Sequence, residues 1–285
     1  MSRFAEWLAD GPLLTDGAWG TEFQKLGLPP GECPDRWNLE HPERVESVAA
    51  AYCDAGSRVI LTNTFRANAV SLPGADIRAI NRAGVEISRR AARGRARVVA
   101  SMGPSGKLLL ADDADPQSLA AAFAEQAEAL AGAGADALLV ETMSDVEEAR
   151  IAARAALATG LPVIVSFVFD SGRNKDRTMT GATPEQAAKA MAAEGVDAVG
   201  ANCGAGIESF VSICRRLRES CSLPVWIKPN AGLPAIENGE VIYRTTPAEF
   251  AAHVPALIDA GASFVGGCCG TSPAFIKAMA VCISS

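Results

Sequence analysis

One short phrase recurs where predicted helices give way to predicted strands. A glycine with small or acidic neighbours stands at four such joints, Asp54-Ala55-Gly56-Ser57, Ala133-Gly134-Ala135-Asp136, Glu194-Gly195-Val196-Asp197 and Asp259-Ala260-Gly261-Ala262. Glycine ends helices because it adopts the left-handed C-cap conformation at little steric cost. We interpret the repetition as one strand–helix unit used many times along the chain.

The hydrophobic pattern supports this interpretation. Apolar, β-branched runs typical of buried parallel strands occur at 13–15, 59–65, 97–102, 136–141, 162–169, 196–203, 224–230 and 263–269. Helical patterns alternate with them at 41–57, 78–95, 115–133, 144–159, 183–194, 209–220, 246–261 and 272–283, after a short amphipathic lead-in at 1–10. The pattern predicts an α/β fold, a single (β/α)8 TIM-type barrel that occupies residues 1–285. A doubly wound open sheet is the alternative, weakened by the strand count and by the missing G-x-G-x-x-G after the first strand.

Three local features sharpen this prediction. Ser144, followed by Glu147, predicts a capping box at the start of one helix. Residues 246–261 predict one continuous helix that begins at Thr246-Pro247. Residues 230–245 predict a long loop with turns at Ala231-Gly232 and Asn238-Gly239.

Composition excludes several classes of function. The chain of 285 residues has a net charge of −7, which disfavours nucleic acid and anionic membranes as partners. It contains neither the apolar core of a secretion signal nor a run of about 18 apolar residues, so we expect a cytoplasmic protein without a membrane span. Eight cysteines in a chain of this length favour metal or catalytic use over disulfides. The two histidines, His41 and His253, fall in helical patterns, which disfavours a histidine-based site.

Three cysteines follow predicted strands. Cys203 ends the sixth strand, and Cys268 and Cys269 end the eighth, between Gly267 and Gly270. A barrel gathers the carboxyl ends of its strands on one face, so these thiols are expected to meet there. Three thiolates suit Zn2+, and three protein ligands leave a fourth position open, as in catalytic zinc sites. Buried core cysteines and a redox-active Cys268–Cys269 disulfide are the alternatives.

Two carboxylates, Asp16 and Glu141, also stand at strand ends. A helix N-cap or a solvated charge is the ordinary role for each. Beside a metal they predict a site for a cationic group such as an α-ammonium. Zinc held by three thiolates carries a net charge of −1, which suits it less to activating water than to holding another thiol as a thiolate. These residues predict alkyl transfer to a thiol.

The chain resembles the homocysteine S-methyltransferase family from end to end, in the motifs DGAWGTEFQKLG, ILTNTF, LLVETMSD, GANCG and GGCCGTSP. Within this family it is most similar to the homocysteine-binding domain of cobalamin-dependent methionine synthase, through KPNAGLPAIENGEVIYRTTPAEFAAHV. The resemblance implies Zn2+ on Cys203, Cys268 and Cys269, with the homocysteine sulfur as fourth ligand. It also implies that Asp16 and Glu141 hold the substrate amino group and that backbone amides bind its carboxylate. The predicted substrate contacts are Asp16, Gly17, Thr64, Glu141, Ser166 and Asn230.

The methyl donor is less constrained by the sequence. Betaine-using relatives need an aromatic cage, but Arg66 and Thr142 occupy the positions of their tyrosines; Trp19 and Trp37 remain as aromatic candidates. The folate, cobalamin and reactivation modules of methionine synthase are not in this sequence. We therefore expect a split methionine synthase whose partner protein carries methylcobalamin or folate. The alternatives are a stand-alone enzyme that uses S-methylmethionine, S-adenosylmethionine or betaine, and a non-catalytic module that presents homocysteine.

Overall fold

The structure is a computed structural model that describes residues 3–107, 109, 115–237 and 240–283. Eight parallel strands form one sheet in the order β1-β10-β7-β6-β5-β4-β3-β2. The strands are β1 (Leu13–Leu14), β2 (Val59–Leu61), β3 (Arg97–Met102), β4 (Ala137–Met143), β5 (Val163–Phe167), β6 (Ala198–Cys203), β7 (Val225–Pro229) and β10 (Ala262–Val265). The two ends of the sheet meet, because the Arg58 N–H donates to the Leu14 carbonyl over 2.8 Å. The predicted single (β/α)8 TIM-type barrel is confirmed.

Helices surround the sheet and pack on their neighbours, for example α3 on α4 and α4 on α5. They are α1 (Gly20–Lys25), α2 (Trp37–Glu40), α3 (Pro42–Asp54), α4 (Ile77–Ala92), α5 (Pro116–Gly132), α6 (Val146–Leu157), α7 (Pro184–Glu194), α8 (Ile207–Ser220), α9 (Pro247–Ala251), α10 (Val254–Asp259) and α11 (Pro273–Ile283). A 3-10 helix at Pro34–Arg36 precedes α2. None of the described helices is long and apolar enough to cross a membrane.

The side chains of the strands alternate between two cores. Outward-facing residues such as Ile60, Val98 and Ile227 pack under the helices. Inward-facing residues fill the barrel toward the end at which the strands begin, which we call the lower end. They include Val59, Leu61, Val99, Leu139, Ile164, Trp226 and Phe264. Because successive strand residues face opposite sides, this alternation fixes which residues further along each strand point into the barrel.

The amino-terminal segment closes the lower end of the barrel. The predicted helical lead-in consists of turns, in which the Leu8 N–H donates to the Phe4 carbonyl over 3.0 Å. Phe4 is fully buried and packs edge-on against Phe264, with ring centroids 5.3 Å apart. The segment therefore acts as an apolar plug rather than as a surface helix.

Two predicted helices begin or continue differently in the structure. The segment predicted as one helix over 246–261 forms α9 and α10, which are separated at Ala252 and His253. Pro255 lacks the N–H that a continuous helix would need there. Helix α6 is capped by Asp145, whose carboxylate accepts from the Glu147 N–H over 2.7 Å, so the predicted Ser144 cap is wrong.

The predicted loop over 230–245 contains an antiparallel hairpin, β8 (Ala235–Glu237) and β9 (Glu240–Ile242). Ile236 pairs with Val241, and apolar, β-branched residues at paired positions favour such a ladder. The predicted turn at Asn238-Gly239 lies outside the described residues. The hairpin leaves the carboxyl end of β7 and so belongs to the same face as the strand-end residues.

Candidate metal centre and substrate site

Three cysteines meet at the carboxyl end of the barrel. The Sγ atoms of Cys203 and Cys268 are 3.1 Å apart. Those of Cys203, Cys268 and Cys269 all lie within 4.8 Å of one another. Strands β6 and β10 both pair with β7, which brings together residues 65 positions apart in sequence. The predicted convergence therefore follows from the order of the strands.

The backbone around the cysteines is unusual. Cys203 has a φ of 62°, in the left-handed region that non-glycine residues rarely adopt. Such conformations persist where the surrounding structure holds them, often at functional sites. Gly270 has a φ of 82°, and a Cβ there would lie 2.3 Å from the Tyr243 ring. The glycine after the cysteine pair thus makes room for an aromatic side chain.

Hydrogen bonds fix the cysteine pair from below. The Cys268 N–H donates to the Pro229 carbonyl over 2.8 Å. The Asn230 side chain accepts from the Cys269 N–H over 3.0 Å and donates to the Gly204 carbonyl over 2.8 Å. Asn230, predicted as a substrate contact, therefore ties the two halves of the cysteine cluster together.

The donor set fits zinc. Tetrahedral zinc with Zn–S bonds of about 2.3 Å places its sulfurs about 3.8 Å apart, between the shortest separation and the upper limit observed here. Hydrogen bonds from Cys203 and Cys268 lower the pKa of the Cys269 thiol to about 3. The bonds to Cys268 and Cys269, together with burial, raise the pKa of Cys203 well above its ordinary value. All three cysteines are partly exposed.

A polar layer lies between the cysteines and the apolar lower barrel. Asn202, fully buried, accepts from the Ser166 hydroxyl over 2.7 Å and from the Thr142 N–H over 2.9 Å. Its amide nitrogen donates to the Thr142 hydroxyl over 2.6 Å. Ser166, predicted as a substrate contact, thus orients Asn202.

Glu141 reaches into the barrel from β4. It is 7% exposed, and the Ser101 hydroxyl donates to it over 2.5 Å. Burial raises the pKa of this carboxyl to about 7, against the opposing effect of Lys228. Glu141 is therefore poised between its neutral and charged forms near physiological pH.

Asp16 also lies at the carboxyl end of the barrel, which we call the mouth. Its carboxylate already has hydrogen-bond and ion-pair partners. One oxygen accepts from the Trp19 indole N–H and from the Leu61 N–H, each over 2.7 Å. The other forms an ion pair with Lys228, and both side chains are almost fully buried. Asp16 is thus placed by three donors from three parts of the barrel.

Lys228 escaped the sequence analysis, and Asn202 entered it only as part of the GANCG motif at the end of the sixth strand. Both belong to the inward-facing register, because Trp226 is two residues before Lys228 and Ala198 four residues before Asn202. Tyr243 escaped because it follows the unpredicted hairpin. Its ring lies against Gly270, the residue that follows the cysteine pair. Counting every second residue along each strand from the apolar inward-facing positions identifies Lys228 and Asn202 as inward-facing.

The remaining predicted contacts lie deeper. The Thr64 hydroxyl, fully buried, donates to the Ser101 carbonyl over 2.7 Å. Gly17 permits a close approach, since a Cβ there would lie 2.6 Å from the Thr271 carbonyl oxygen.

Trp37 is buried and packs against Phe23. The other five cysteines lie apart from the cluster, on helices or in loops: Cys33, Cys53, Cys214, Cys221 and Cys282.

Comparison with known proteins agrees with this geometry. The model of the family described as homocysteine S-methyltransferase matches residues 13–283. Methionine synthase of Mycobacterium leprae is 31% identical over 98% of this chain, and that of Mycobacterium tuberculosis is 31% identical over 96%. The chain spans 25% of the length of each of these relatives.

Solved structures give the same result. The metallated form of the homocysteine methyltransferase MmuM from Escherichia coli superposes with a TM-score of 0.81 and 26% identity, covering 97% of this chain and 99% of that one. Pyruvate carboxylase from Rhizobium etli, at 15% identity and a TM-score of 0.56, shares the fold alone. The strand-end cysteines, the barrel and the family match together establish that the chain belongs to the homocysteine S-methyltransferase family.

Proposed function

We propose that the protein is a zinc-dependent methyltransferase that methylates homocysteine to methionine in the cytoplasm. The observation that carries the proposal is the convergence of Cys203, Cys268 and Cys269 at the partly exposed mouth of the barrel. These cysteines would hold Zn2+, which when bound supplies a Lewis acid that lowers the pKa of the substrate thiol.

The residues around the cluster give the substrate its orientation. Glu141 is the proposed contact of the α-ammonium group, because none of the ion pairs among the described residues includes its carboxylate, whereas Asp16 is paired with Lys228. Asp16 acts at one remove, through Lys228. Backbone amides at the strand ends bind the carboxylate, and the substrate lies over a floor formed by Gly17, Thr64, Ser166 and Asn230. Restricting the amino acid in this way aligns its sulfur with an incoming methyl group.

The reaction itself needs little from the protein beyond this alignment. The homocysteine sulfur, having lost its proton, attacks the methyl carbon. An S–C bond forms, and the bond between the methyl carbon and its carrier breaks with the electron pair going to the carrier. Partial exclusion of water at the mouth keeps the thiolate weakly solvated and nucleophilic.

We propose that the donor is a methyl-corrinoid or folate on a separate protein. One structural observation supports a protein donor. Four apolar side chains are exposed on the segments that follow β5 and β7 at the mouth: Met179, Leu233, Ile236 and Val241. Exposed apolar side chains that share one face suit contact with another protein.

A stand-alone enzyme with a small sulfonium donor, such as S-methylmethionine or S-adenosylmethionine, is the second candidate. The match to E. coli MmuM over almost its whole length favours it. Betaine is the least favoured donor, since Arg66 and Thr142 offer no aromatic cage. A module that only presents homocysteine would show the same metal binding without turnover.

The metal site is tested by Cys268→Ser, with Cys282→Ser as the matched control because Cys282 lies on α11, away from the cluster. We expect Cys268→Ser to lose most bound zinc and to lower homocysteine methylation by more than about 100-fold, because an open zinc site depends on each of its three ligands. Zinc analysis and methionine production measure both effects. Full zinc content and turnover in Cys268→Ser would contradict the proposal.

The donor is tested by supplying each candidate to the zinc-loaded protein. Ile236→Lys is expected to slow transfer from a corrinoid protein about tenfold while leaving turnover with a small sulfonium donor unchanged, because it places a charge on the exposed apolar face. Turnover with sulfonium donors alone, insensitive to Ile236→Lys, would establish the stand-alone enzyme instead.

A further inference from the structure

Lys228 is an exception among the cations of this chain. Of the lysines and arginines that the structure describes, it alone is buried, at 2% exposure. It belongs to β7 and precedes Pro229, whose carbonyl accepts from the Cys268 N–H over 2.8 Å. The lysine therefore lies inside the barrel, directly below the segment that holds the cysteine pair.

The ion pair with Asp16 does not by itself account for the burial of this charge. The Asp16 carboxylate also accepts from the Trp19 indole N–H and from the Leu61 N–H. Replacing a buried ion pair by apolar side chains of similar volume is often neutral or stabilising, and apolar side chains such as Trp226 fill the inward-facing positions below. A barrel that needed only stability could continue this apolar packing upward.

The ammonium group also has hydrogen-bond donors to spare. A lysine has three N–H donors, and Asp16 is the only hydrogen-bond acceptor of Lys228 among the described residues. The Trp226 ring centroid lies 5.9 Å from the Lys228 Nζ, which gives a cation–π contact rather than a hydrogen bond. Because buried donors are nearly always paired, the spare donors indicate a ligand that supplies acceptor atoms.

The neighbouring side chains of the polar layer are engaged elsewhere. The Glu141 carboxylate accepts from the Ser101 hydroxyl and, over 3.4 Å, from the Asn202 amide. The Asn202 carbonyl oxygen already accepts two hydrogen bonds. Asn202 is the register partner of Lys228 on β6, so even the adjacent strand leaves the ammonium to an anion that enters from the mouth.

We propose that Lys228 binds the α-carboxylate of the thiol substrate and restricts the site to thiols that carry such a group. The inference rests on the proposed function, which places a thiol amino acid at the cysteines above. With the sulfur at the cysteines and the ammonium group at Glu141, the carboxylate is the remaining charged group of homocysteine. Backbone amides offer this group only dipoles, whereas Lys228 offers a full charge, and Asp16 holds the lysine side chain in position.

Two thiols that differ only in the carboxylate test this inference. They are homocysteine and 3-aminopropane-1-thiol, which has the same carbon chain and amino group but no carboxylate. Isothermal titration calorimetry measures the binding of each to the full chain loaded with zinc. The ratio of the two dissociation constants is an internal measure, because a loss of folded protein or of metal affects both thiols. In wild type we expect homocysteine to bind about 10- to 100-fold more tightly, since a charge-assisted hydrogen bond is strong.

Lys228→Met should bring this ratio close to one, by weakening homocysteine binding without weakening the binding of 3-aminopropane-1-thiol. Because this variant leaves the Asp16 carboxylate buried without its cation, a second comparison removes that charge. Asp16→Asn keeps the ammonium and should keep the preference for homocysteine, whereas the double variant Asp16→Asn, Lys228→Met should lose it. Lys277→Met is the matched control, since Lys277 is exposed on α11, and it should change neither affinity.

A preference for homocysteine that survives the loss of Lys228 in both comparisons, in folded protein that retains zinc, would overturn the inference. So would an equal loss of affinity for both thiols in the double variant relative to Asp16→Asn, because Lys228 would then have only a structural role. Wild type that binds homocysteine without this preference would contradict the inference alone. Wild type that binds neither thiol would contradict the proposed function as well.

Discussion

The two ends of the barrel are built from the same strands but bury different kinds of side chain. At the lower end, Phe4, Trp226 and Phe264 interdigitate without a charged group among them. At the mouth, the same inward-facing register carries Glu141 and Lys228, both buried. A surface groove of about 950 Å3 also lies near the lower end, yet the cysteines lie at the other.

The contrast shows where stability and function are separated. At the lower end, a substitution disturbs only apolar packing. The mouth, in contrast, keeps charged groups buried, which costs free energy. It also holds Thr142 and Cys203 in left-handed conformations, with φ of 61° and 62°. Proteins retain such costs where the resulting geometry is used, and here it surrounds the cysteine cluster. We expect substitutions at the two ends to separate folding from metal and substrate binding.

The largest effect on stability is expected from Lys228→Met. It leaves the Asp16 carboxylate buried without its cation, and breaking a buried ion pair costs about 3–5 kcal/mol. Denaturant unfolding measures the loss. The double variant Lys228→Met, Asp16→Asn should recover most of it, because the buried charge is then gone as well.

Lys25→Met is the matched control. Lys25 pairs with Glu22 on the surface over 2.6 Å, with its side chain 62% exposed, and exposed pairs contribute about 0–1 kcal/mol. If Lys228→Met costs no more than Lys25→Met, the ion pair at the mouth is energetically no different from a surface pair. The comparison between the two ends would then fail.

A smaller loss, about 3 kcal/mol, is expected from Phe4→Ala. Phe4 is fully buried at the lower end, and truncating a buried phenylalanine removes its packing and leaves a cavity. Zinc bound per folded molecule should not change. Leu39→Ala, at a position that is 50% exposed, should have little effect. Loss of zinc in Phe4→Ala without unfolding would mean that the lower end controls the mouth.

Much of this organisation was predictable because parallel strands impose it. The eight apolar runs and the repeated glycine joints fix the barrel, and the barrel alone brings Cys203 to the cysteine pair at 268 and 269. No local turn could do so. The position of the cysteine cluster was therefore as predictable as the fold.

The pairing of charges was not predictable in the same way. Asp16 appeared as a free carboxylate because the sequence shows its strand-end position but not its partner, 212 residues away. Hairpin β8–β9 was hidden because strands of three residues give too short a pattern. Tyr243 was missed with it. What escaped are contacts between side chains of different strand–helix units, which depend on distances that no local pattern encodes.

The smallest expected effect is also the most specific to the mouth, and it concerns Glu141. Its folded pKa of about 7 lies above the ordinary value of 4.5, so the folded protein binds the proton more tightly than the unfolded chain. The resulting stabilisation is complete below pH 4.5 and is lost as the pH rises through 7. Relative to wild type, Glu141→Gln should therefore gain stability between pH 5 and 8, on the order of 2–3 kcal/mol, measured by denaturant unfolding.

Over the same range wild type should gain homocysteine affinity that Glu141→Gln lacks, because the carboxylate that binds the ammonium forms only in wild type. Glu148→Gln is the control, since burial raises the pKa of that carboxyl as well but it accepts from the Ser105 N–H, away from the cysteines. It should shift stability in the same direction and leave homocysteine affinity unchanged; parallel affinity curves for wild type and Glu141→Gln would remove Glu141 from the substrate site.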